Sequence, residues 1–301
     1  MNSKPVVWMN DEFIPWENAQ VPILSHGLSR GSAIFEVFGT HTRDGQTFGF
    51  RMDAHLRRLE RTADLLGMEL KFSSEEIAAA VAGLVDRNKC GRGIVKIVAF
   101  WGEEAVINLI LESKLDVAVF TIPASEELGL DKDAAISACF SQWRKLHPET
   151  VPVQAKACAN YLNSYLIKKD AITRGYDLGL TLGTDGFLAE GAIESVFMVK
   201  DGILKTPPLG RILASITRDS IVRVAQDNGL IVREIPLQKQ DVYEADEMFT
   251  CHTGIKVLPI RQFEDRDLKA PGPVTEKICR LMENVMALGD PRYADWFQKL
   301  S

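Results

Sequence analysis

Three Asp-Gly steps, Asp44-Gly45, Asp185-Gly186 and Asp201-Gly202, interrupt short apolar runs in both halves of the chain. A tight hairpin turn needs positive φ at its central residues, which Asp and Gly adopt at little cost, so each step reads as a place where a strand reverses into an antiparallel neighbour. In the first half, Val6-Val7-Trp8 precedes Asn10-Asp11, and Ala33 to Phe38 and Gln46 to Phe50 flank Asp44-Gly45. Leu56, Leu59, Ala63 and Leu66 recur at helical spacing, and a second helix is predicted from Glu75 behind the capping residues Ser73 and Ser74. Ile94 to Trp101 and Asp116 to Ile122 read as further strands, giving an antiparallel sheet with two helices.

Pro123 to Asp133 is polar and lacks apolar periodicity, which marks it as a linker. Beyond it a strand is predicted over Ala135 to Phe140 and a helix from about Ala157 to Gly175. Hairpin-like strands come next, then a helix near 217–228 ended by Asn228-Gly229. Strands around 231–235, 247–251 and 256–263 and a helix from Val274 to Leu288 complete the chain. The expected fold class is α/β, of the α+β type, in two domains: a small domain over 1–122, a linker over 123–133, and a larger, strand-rich domain over 134–301.

The chain has 301 residues, enough for two such domains, and its 46% hydrophobic content supports a sizeable core in each. Its 35 basic and 41 acidic residues are scattered without long runs, so no basic face for nucleic acid is expected. The cysteines, at 90, 139, 158, 251 and 279, are odd in number and form no C-x-x-C pair, which points to reduced thiols in the cytoplasm. Met1 to Pro5 has no signal-peptide core, no stretch approaches the roughly 20 apolar residues of a membrane span, and the five histidines are dispersed. Neither a membrane association nor a metal site is expected.

Lys156 lies among Ala155, Ala157, Cys158 and Ala159, and Glu190 comes 34 positions later inside Phe187-Leu188-Ala189-Glu190-Gly191-Ala192. An isolated lysine is ordinarily a solvated charge, but small neighbours leave a tight, partly apolar place in which an amine can form a Schiff base. Lys145, Lys168 and Lys169 lack such surroundings and are expected to face water. A carboxylate in an apolar stretch needs a partner if buried, and a protonated pyridine nitrogen is a suitable one; an edge Glu pointing to solvent is the alternative, and Glu194 competes for the role. Ser215-Ile216-Thr217-Arg218-Asp219 reads as a helix start, either an ordinary cap or a phosphate site made by its amides. Arg58 lies outside the apolar stripe of its helix, where it either meets solvent, forms a surface pair or aims at a phosphate. Thr253-Gly254 is a turn of hydroxyl and amide, and Tyr161 is either a core aromatic or a ring-oxygen ligand.

Taken in order along the chain, these segments resemble the fold-type IV enzymes that use pyridoxal 5′-phosphate (PLP), and within them the branched-chain amino-acid aminotransferases. The likeness runs through Ser25-His26-Gly27-Leu28, Ala33-Ile34-Phe35-Glu36, His55-Leu56-Arg57-Arg58-Leu59, Ser141-Gln142-Trp143, Lys156 with Asn160-Tyr161-Leu162, Ala189-Glu190-Gly191, Ile216-Thr217-Arg218-Asp219 and Thr253-Gly254. The resemblance implies that Lys156 is the Schiff-base lysine, that Glu190 partners the pyridine nitrogen and that Tyr161 binds the ring hydroxyl. It implies phosphate contacts from Arg58, the Ile216 and Thr217 amides and the Thr253 hydroxyl, and substrate contacts from Arg30, Phe35, Lys96, Gly254 and Ile255.

The activity that the resemblance implies is amino-group exchange between a branched-chain L-amino acid and 2-oxoglutarate in a homodimer. Two substrate-facing positions depart from the family: Arg30 stands where a tyrosine is usual and Lys96 where an arginine is usual. Arg30 either binds a carboxylate or pairs with an acidic neighbour, and Lys96 either points into the site or reaches to solvent. A transaminase for D-amino acids or (R)-amines, or a lyase of the kind acting on aminodeoxychorismate, is the alternative on the same fold. A PLP-binding protein without turnover is the alternative of a different class.

Overall fold

A computed structural model describes residues 5–125 and 135–301. These form two compact units, one of 5–125, 155–159 and 287–301 and the other of 135–154 and 160–286. The division differs from the predicted one, at 1–122, 123–133 and 134–301, because two later segments belong with the first unit. Phe35 N–H donates to the Lys156 carbonyl at 3.1 Å and Ile34 bridges Ala157, while the C-terminal strand Phe297–Lys299 pairs with Phe48 to Phe50. Backbone pairing of this kind has no signature in apolar periodicity. Of the predicted linker, 126–133 lies outside the described residues, and Pro123 ends a strand.

In the first unit, β1 (Val6–Met9), β2 (Glu12–Pro15), β3 (Ala33–Arg43), β4 (Gln46–Phe50), β5 (Gly93–Phe100) and β6 (Asp116–Pro123) join the C-terminal strand. Among the described residues they make one seven-stranded sheet in the order C-terminal strand, β4, β3, β5, β6, β1, β2. Every pairing in it is antiparallel. Asp44 and Gly45 join β3 to β4 with φ of 50° and 74°, the left-handed pair that the hairpin requires. A short helix, α1 (His26–Arg30), precedes β3.

Helix α2 (Met52–Leu66) buries Leu56, Leu59 and Ala63, and α3 (Ser74–Asn88) buries Ile77, Val81 and Leu84. Ser73 caps α3 in a reciprocal box with Glu76. Both helices pack on the sheet face that carries Ile34, Phe38, Val95, Ile97, Val117 and Val119. The alternation of β5 agrees with this packing: Val95, Ile97 and Ala99 are buried in this core, and Ile94, Lys96 and Val98 lie on the other face.

In the second unit, the strands are β7 (Ile136–Phe140), β8 (Leu178–Leu180), β9 (Ser195–Lys200), β10 (Ile203–Thr206), β11 (Val232–Glu234), β12 (Glu247–Cys251), β13 (Leu258–Phe263) and β14 (Arg266–Asp267). Their order is β11, β10, β9, β12, β13, β7, β8, with β14 on β13. The sheet is mixed: β10 with β11, β13 with β7 and β7 with β8 are parallel. Parallel neighbours need a crossover, and α4 (Tyr161–Thr173) and α5 (Ile216–Asp227) supply two of them. A short α6 (Lys239–Tyr243) and α7 (Pro273–Met286) complete the unit.

Helix α4 starts at Tyr161 after a 3-10 turn at Cys158–Asn160, later than the predicted Ala157, because residues 156 and 157 are drawn into pairing with β3. Asp185-Gly186 turns between a single bridge, Leu182 with Leu188, rather than between two full strands. Among the described residues, no helix is long and apolar enough to cross a membrane, and no three His, Cys, Asp or Glu side chains are grouped to hold a metal ion.

Candidate functional site

The site residues fall into two sets, one in each unit. In the first unit, β4 pairs with β3 only from Thr40 onward, which leaves the start of β3 with an open edge. Residues 156 and 157 fill it, and the Thr62 hydroxyl on α2 accepts the Lys156 N–H at 3.2 Å. With the backbone fixed on both sides, the Lys156 amine lies 4.6 Å from the centre of the Phe35 ring. Lys96 reaches the same ring at 5.2 Å, so two of the predicted cations share one aromatic partner. Burial raises the pKa of the Cys158 thiol, opposed by the charges of Lys96 and Lys156.

Arg58 projects from α2 onto Glu36 of β3, donating from Nε and Nη2 at 2.7 and 2.8 Å. The His55 ring, also from α2, meets Glu36 Oε2 at 2.7 Å through Nδ1. Glu36 is fully buried, and burial alone would raise its carboxyl; the charge of Arg58 and hydrogen bonds from Arg58 and His55 outweigh this and hold it at about 2. Burial pulls His55 down to about 4 against the attraction of Glu36. His55 is therefore neutral near pH 7, and because an ionised carboxylate only accepts, its proton sits on Nδ1. The expected alternatives for Arg58 were a phosphate, water or a surface ion pair; the structure shows an ion pair, but with a buried carboxylate that fixes the direction of its fork. Arg30 ends α1 and donates to the Val106 carbonyl at 2.6 Å, a neutral partner rather than the acidic neighbour expected as one alternative.

In the second unit, Glu190 lies in the segment between the Leu188 bridge and β9, not on a strand. Its carbonyl accepts from both the N–H and the hydroxyl of Thr181, at 2.9 and 2.7 Å. Its carboxylate is buried against the Lys145 amine, 2.5 Å from Oε1, with the two side chains 7% and 10% exposed. Lys145 thus departs from the expectation that it faces water: its own N–H is tied to the Leu182 carbonyl at 3.0 Å, which turns the side chain inward. The rival acid, Glu194, is engaged locally, accepting the Ile193 N–H at 2.9 Å, and burial raises its pKa. Gly191 permits this turn, since a Cβ there would lie 2.6 Å from Glu194 Oε2.

Helix α5 begins where predicted. The Ser215 hydroxyl accepts the Arg218 N–H, which leaves the Ile216 and Thr217 amides at the first two helical positions, where no acceptor within the helix exists. Arg218 is occupied structurally by the Pro207 carbonyl and Glu234. After β12, the turn at Thr253-Gly254-Ile255 is held from within: His252 N–H donates to the Ile255 carbonyl, Gly254 N–H to His252 Nδ1 at 3.1 Å, and the Lys256 amine to the Thr253 carbonyl. Burial lowers His252 to about 4, helped by the charges of Lys256 and Lys168, and burial lowers Lys256 to about 8. A neutral imidazole has the lone pair that the Gly254 amide needs. Tyr161 is the first residue of α4 and is partly buried.

The contacts of Lys145 with Glu190 and of Lys256 with the Thr253 carbonyl were not foreseen from the sequence, and Glu36 and His55 entered there only as members of a motif. The available signal for Glu36 was its place amid apolar residues of a strand. For Lys145 there was none, because its burial depends on a segment distant along the chain.

The amino-transferase class IV family profile matches residues 33–263. The branched-chain-amino-acid aminotransferase of Salmonella typhimurium is 33% identical over 277 residues, 90% of either chain. The branched-chain aminotransferase of the archaeon Thermoproteus uzoniensis, solved with norvaline, superposes with a TM-score of 0.94 at 30% identity, covering 99% of this chain and all of its own. The PLP-bound branched-chain amino acid aminotransferase of Thermobaculum terrenum superposes with a TM-score of 0.92 at 31% identity, covering both chains in full.

Proposed function

Because the chain belongs to the class IV aminotransferase family, and is thereby a PLP-dependent aminotransferase, we propose that it exchanges amino groups between branched-chain L-amino acids and 2-oxoglutarate. The observation that carries the reading is the seating of Lys156: its backbone is locked onto the edge of β3 and its amine is delivered over Phe35. The substrate class is supported by the activities of relatives at 30% identity or more.

Three features fit PLP. Glu190 is a buried carboxylate that an additional cation suits, the α5 amides of Ile216 and Thr217 point out of a helix start as a phosphate needs, and Lys156 supplies a placed amine. When bound, PLP supplies an electron sink for the pair left behind as the substrate α-proton departs. Lys156 would hold the cofactor through its amine and, once freed, would serve as the base that moves the substrate proton. Glu190 would partner the pyridine nitrogen, and Tyr161 would orient the ring through its hydroxyl. Arg58, the two α5 amides and the Thr253 hydroxyl would anchor the phosphate and so fix the orientation on which proton transfer depends. Arg30, Phe35, Lys96, Gly254 and Ile255 face the substrate.

The active form is a homodimer in the cytoplasm. Ile23, Ile107 and Ile110 are each at least 80% exposed, and their two segments are tied together by the Ala105 N–H on the Leu24 carbonyl. Together with an apolar hollow of about 370 Å³ bounded by Trp16, Val21, Leu28 and Phe120, they offer a surface suited to a second copy. The five cysteines are free thiols, in keeping with a reducing compartment.

The test is a substrate panel. Purified protein is expected to be yellow, borohydride to fix the colour to a peptide containing Lys156, and Lys156→Ala to abolish both fixation and turnover. L-Leucine with 2-oxoglutarate is expected to yield glutamate. Turnover of D-alanine or (R)-1-phenylethylamine alone rejects the substrate assignment, and pyruvate release from aminodeoxychorismate replaces it with the lyase.

A further inference from the structure

Lys145 has no role in the proposed transamination, yet it is the cation in contact with Glu190, 2.5 Å from Oε1. Both partners are held by their backbones: the Lys145 N–H by the Leu182 carbonyl, the neighbouring Arg144 carbonyl by the Asn163 side chain at 3.1 Å, and the Glu190 carbonyl by Thr181. This is a fixed pair, unlike the flexible ion pairs of a surface. A buried carboxylate needs a partner that holds it, and a hydrogen bond from a pyridinium N–H depends on the direction in which the acceptor points. Glu194 lies close enough for its charge to oppose that of Glu190, and Lys168 of α4 acts in turn on Glu194.

Resting on the reading that Glu190 partners the pyridine nitrogen, we infer that Lys145 is a positioning residue that holds the Glu190 carboxylate aimed before PLP binds. It occupies one carboxylate oxygen and leaves the acceptor capacity of the other to the cofactor. Lys145 then acts on cofactor capture and touches neither substrate nor the migrating proton.

The experiment measures PLP affinity of the full chain, freed of cofactor, by absorbance titration. Lys145→Met is expected to bind PLP about 10-fold more weakly than wild type, as the loss of one charge-assisted hydrogen bond would. Lys145→Arg is expected to track wild type. In a Glu190→Gln background Lys145→Met is expected to cause no further weakening, because Lys145 acts through that carboxylate; a purely structural role predicts the same weakening in both backgrounds, and that result, or no change in the single variant, overturns the inference. Thermal midpoints of Lys145→Met, Glu190→Gln and the double variant give a second readout. The double variant is expected to recover much of the stability that each single variant loses, whereas additive losses show that the charges are not coupled and also overturn it. Failure of the parent reading looks different: Glu190→Gln by itself then leaves PLP affinity unchanged.

Discussion

Glu36 accepts from two nitrogens of Arg58 at 2.7 and 2.8 Å, so a guanidinium that the sequence places off the apolar stripe of its helix is aimed by a carboxylate of the neighbouring strand. His55 closes the arrangement by donating to Glu36 Oε2. A cation held this way keeps one orientation, which a phosphate anchor requires.

Glu36→Gln is expected to destabilise the protein by about 3–5 kcal/mol, the usual cost of leaving one member of a buried pair without its partner. Urea unfolding measures the loss. The same variant is expected to weaken PLP binding by about 10-fold, as the loss of a single charge-assisted hydrogen bond would. Unchanged affinity in a folded variant would remove Arg58 from the phosphate anchor.

The same triad sets an acid limit. His55 stays neutral in the folded chain down to about 4, whereas an unfolded histidine takes up its proton near 6.5; Glu36 stays ionised down to about 2, below its ordinary 4.5. In both windows the unfolded chain binds more protons, so stability is full above about pH 6.5, falls toward pH 4 through His55, and falls further toward pH 2 through Glu36. Each contribution is on the order of 3 kcal/mol. Unfolding measured as a function of pH is expected to show a flatter profile between pH 4 and 6.5 for His55→Gln.

Ile216 occupies the first helical position of α5, where proline is tolerated because its missing N–H has no helical acceptor. Ile216→Pro is therefore expected to keep the helix while removing one amide from the phosphate. A 10- to 100-fold loss of PLP affinity corresponds to one charge-assisted bond of about 1.5–3 kcal/mol. Ile216→Val controls for the lost side-chain packing, and a loss of the same size in that control would refute the role of the amide.

Lys256 is held at about 8 by burial, below its ordinary 10.5. Between these values the folded chain binds fewer protons than the unfolded one, so its contribution to stability rises with pH from about 8 to 10.5. The stability difference between Lys256→Met and wild type is expected to shrink over this window in denaturation experiments. A constant difference would mean that the amine is solvated.

Local chemistry made much of the fold legible. Asp44-Gly45 and the Ser73 cap act within a few residues, and they appear where the sequence places them. The same holds for Ser215 at the start of α5. The resemblance also identified the family, because the motifs occur in a fixed order along nearly the whole chain.

The sequence alone determined the long helices α2 to α5 and α7, most of the strands, the family and the chemistry available to Lys156 and Glu190 as residue types, but not the short α1 and α6 or the C-terminal strand. Tertiary structure decided how the elements are shared between units: residues 155–159 and the C-terminal strand join the first because an open strand edge accepts whatever backbone arrives there, regardless of side-chain pattern. It also decided that Lys145 is buried against Glu190 and that Arg58 is aimed by Glu36. Burial and charge pairing depend on groups brought together from distant positions, and no local run of residues encodes which of them will meet.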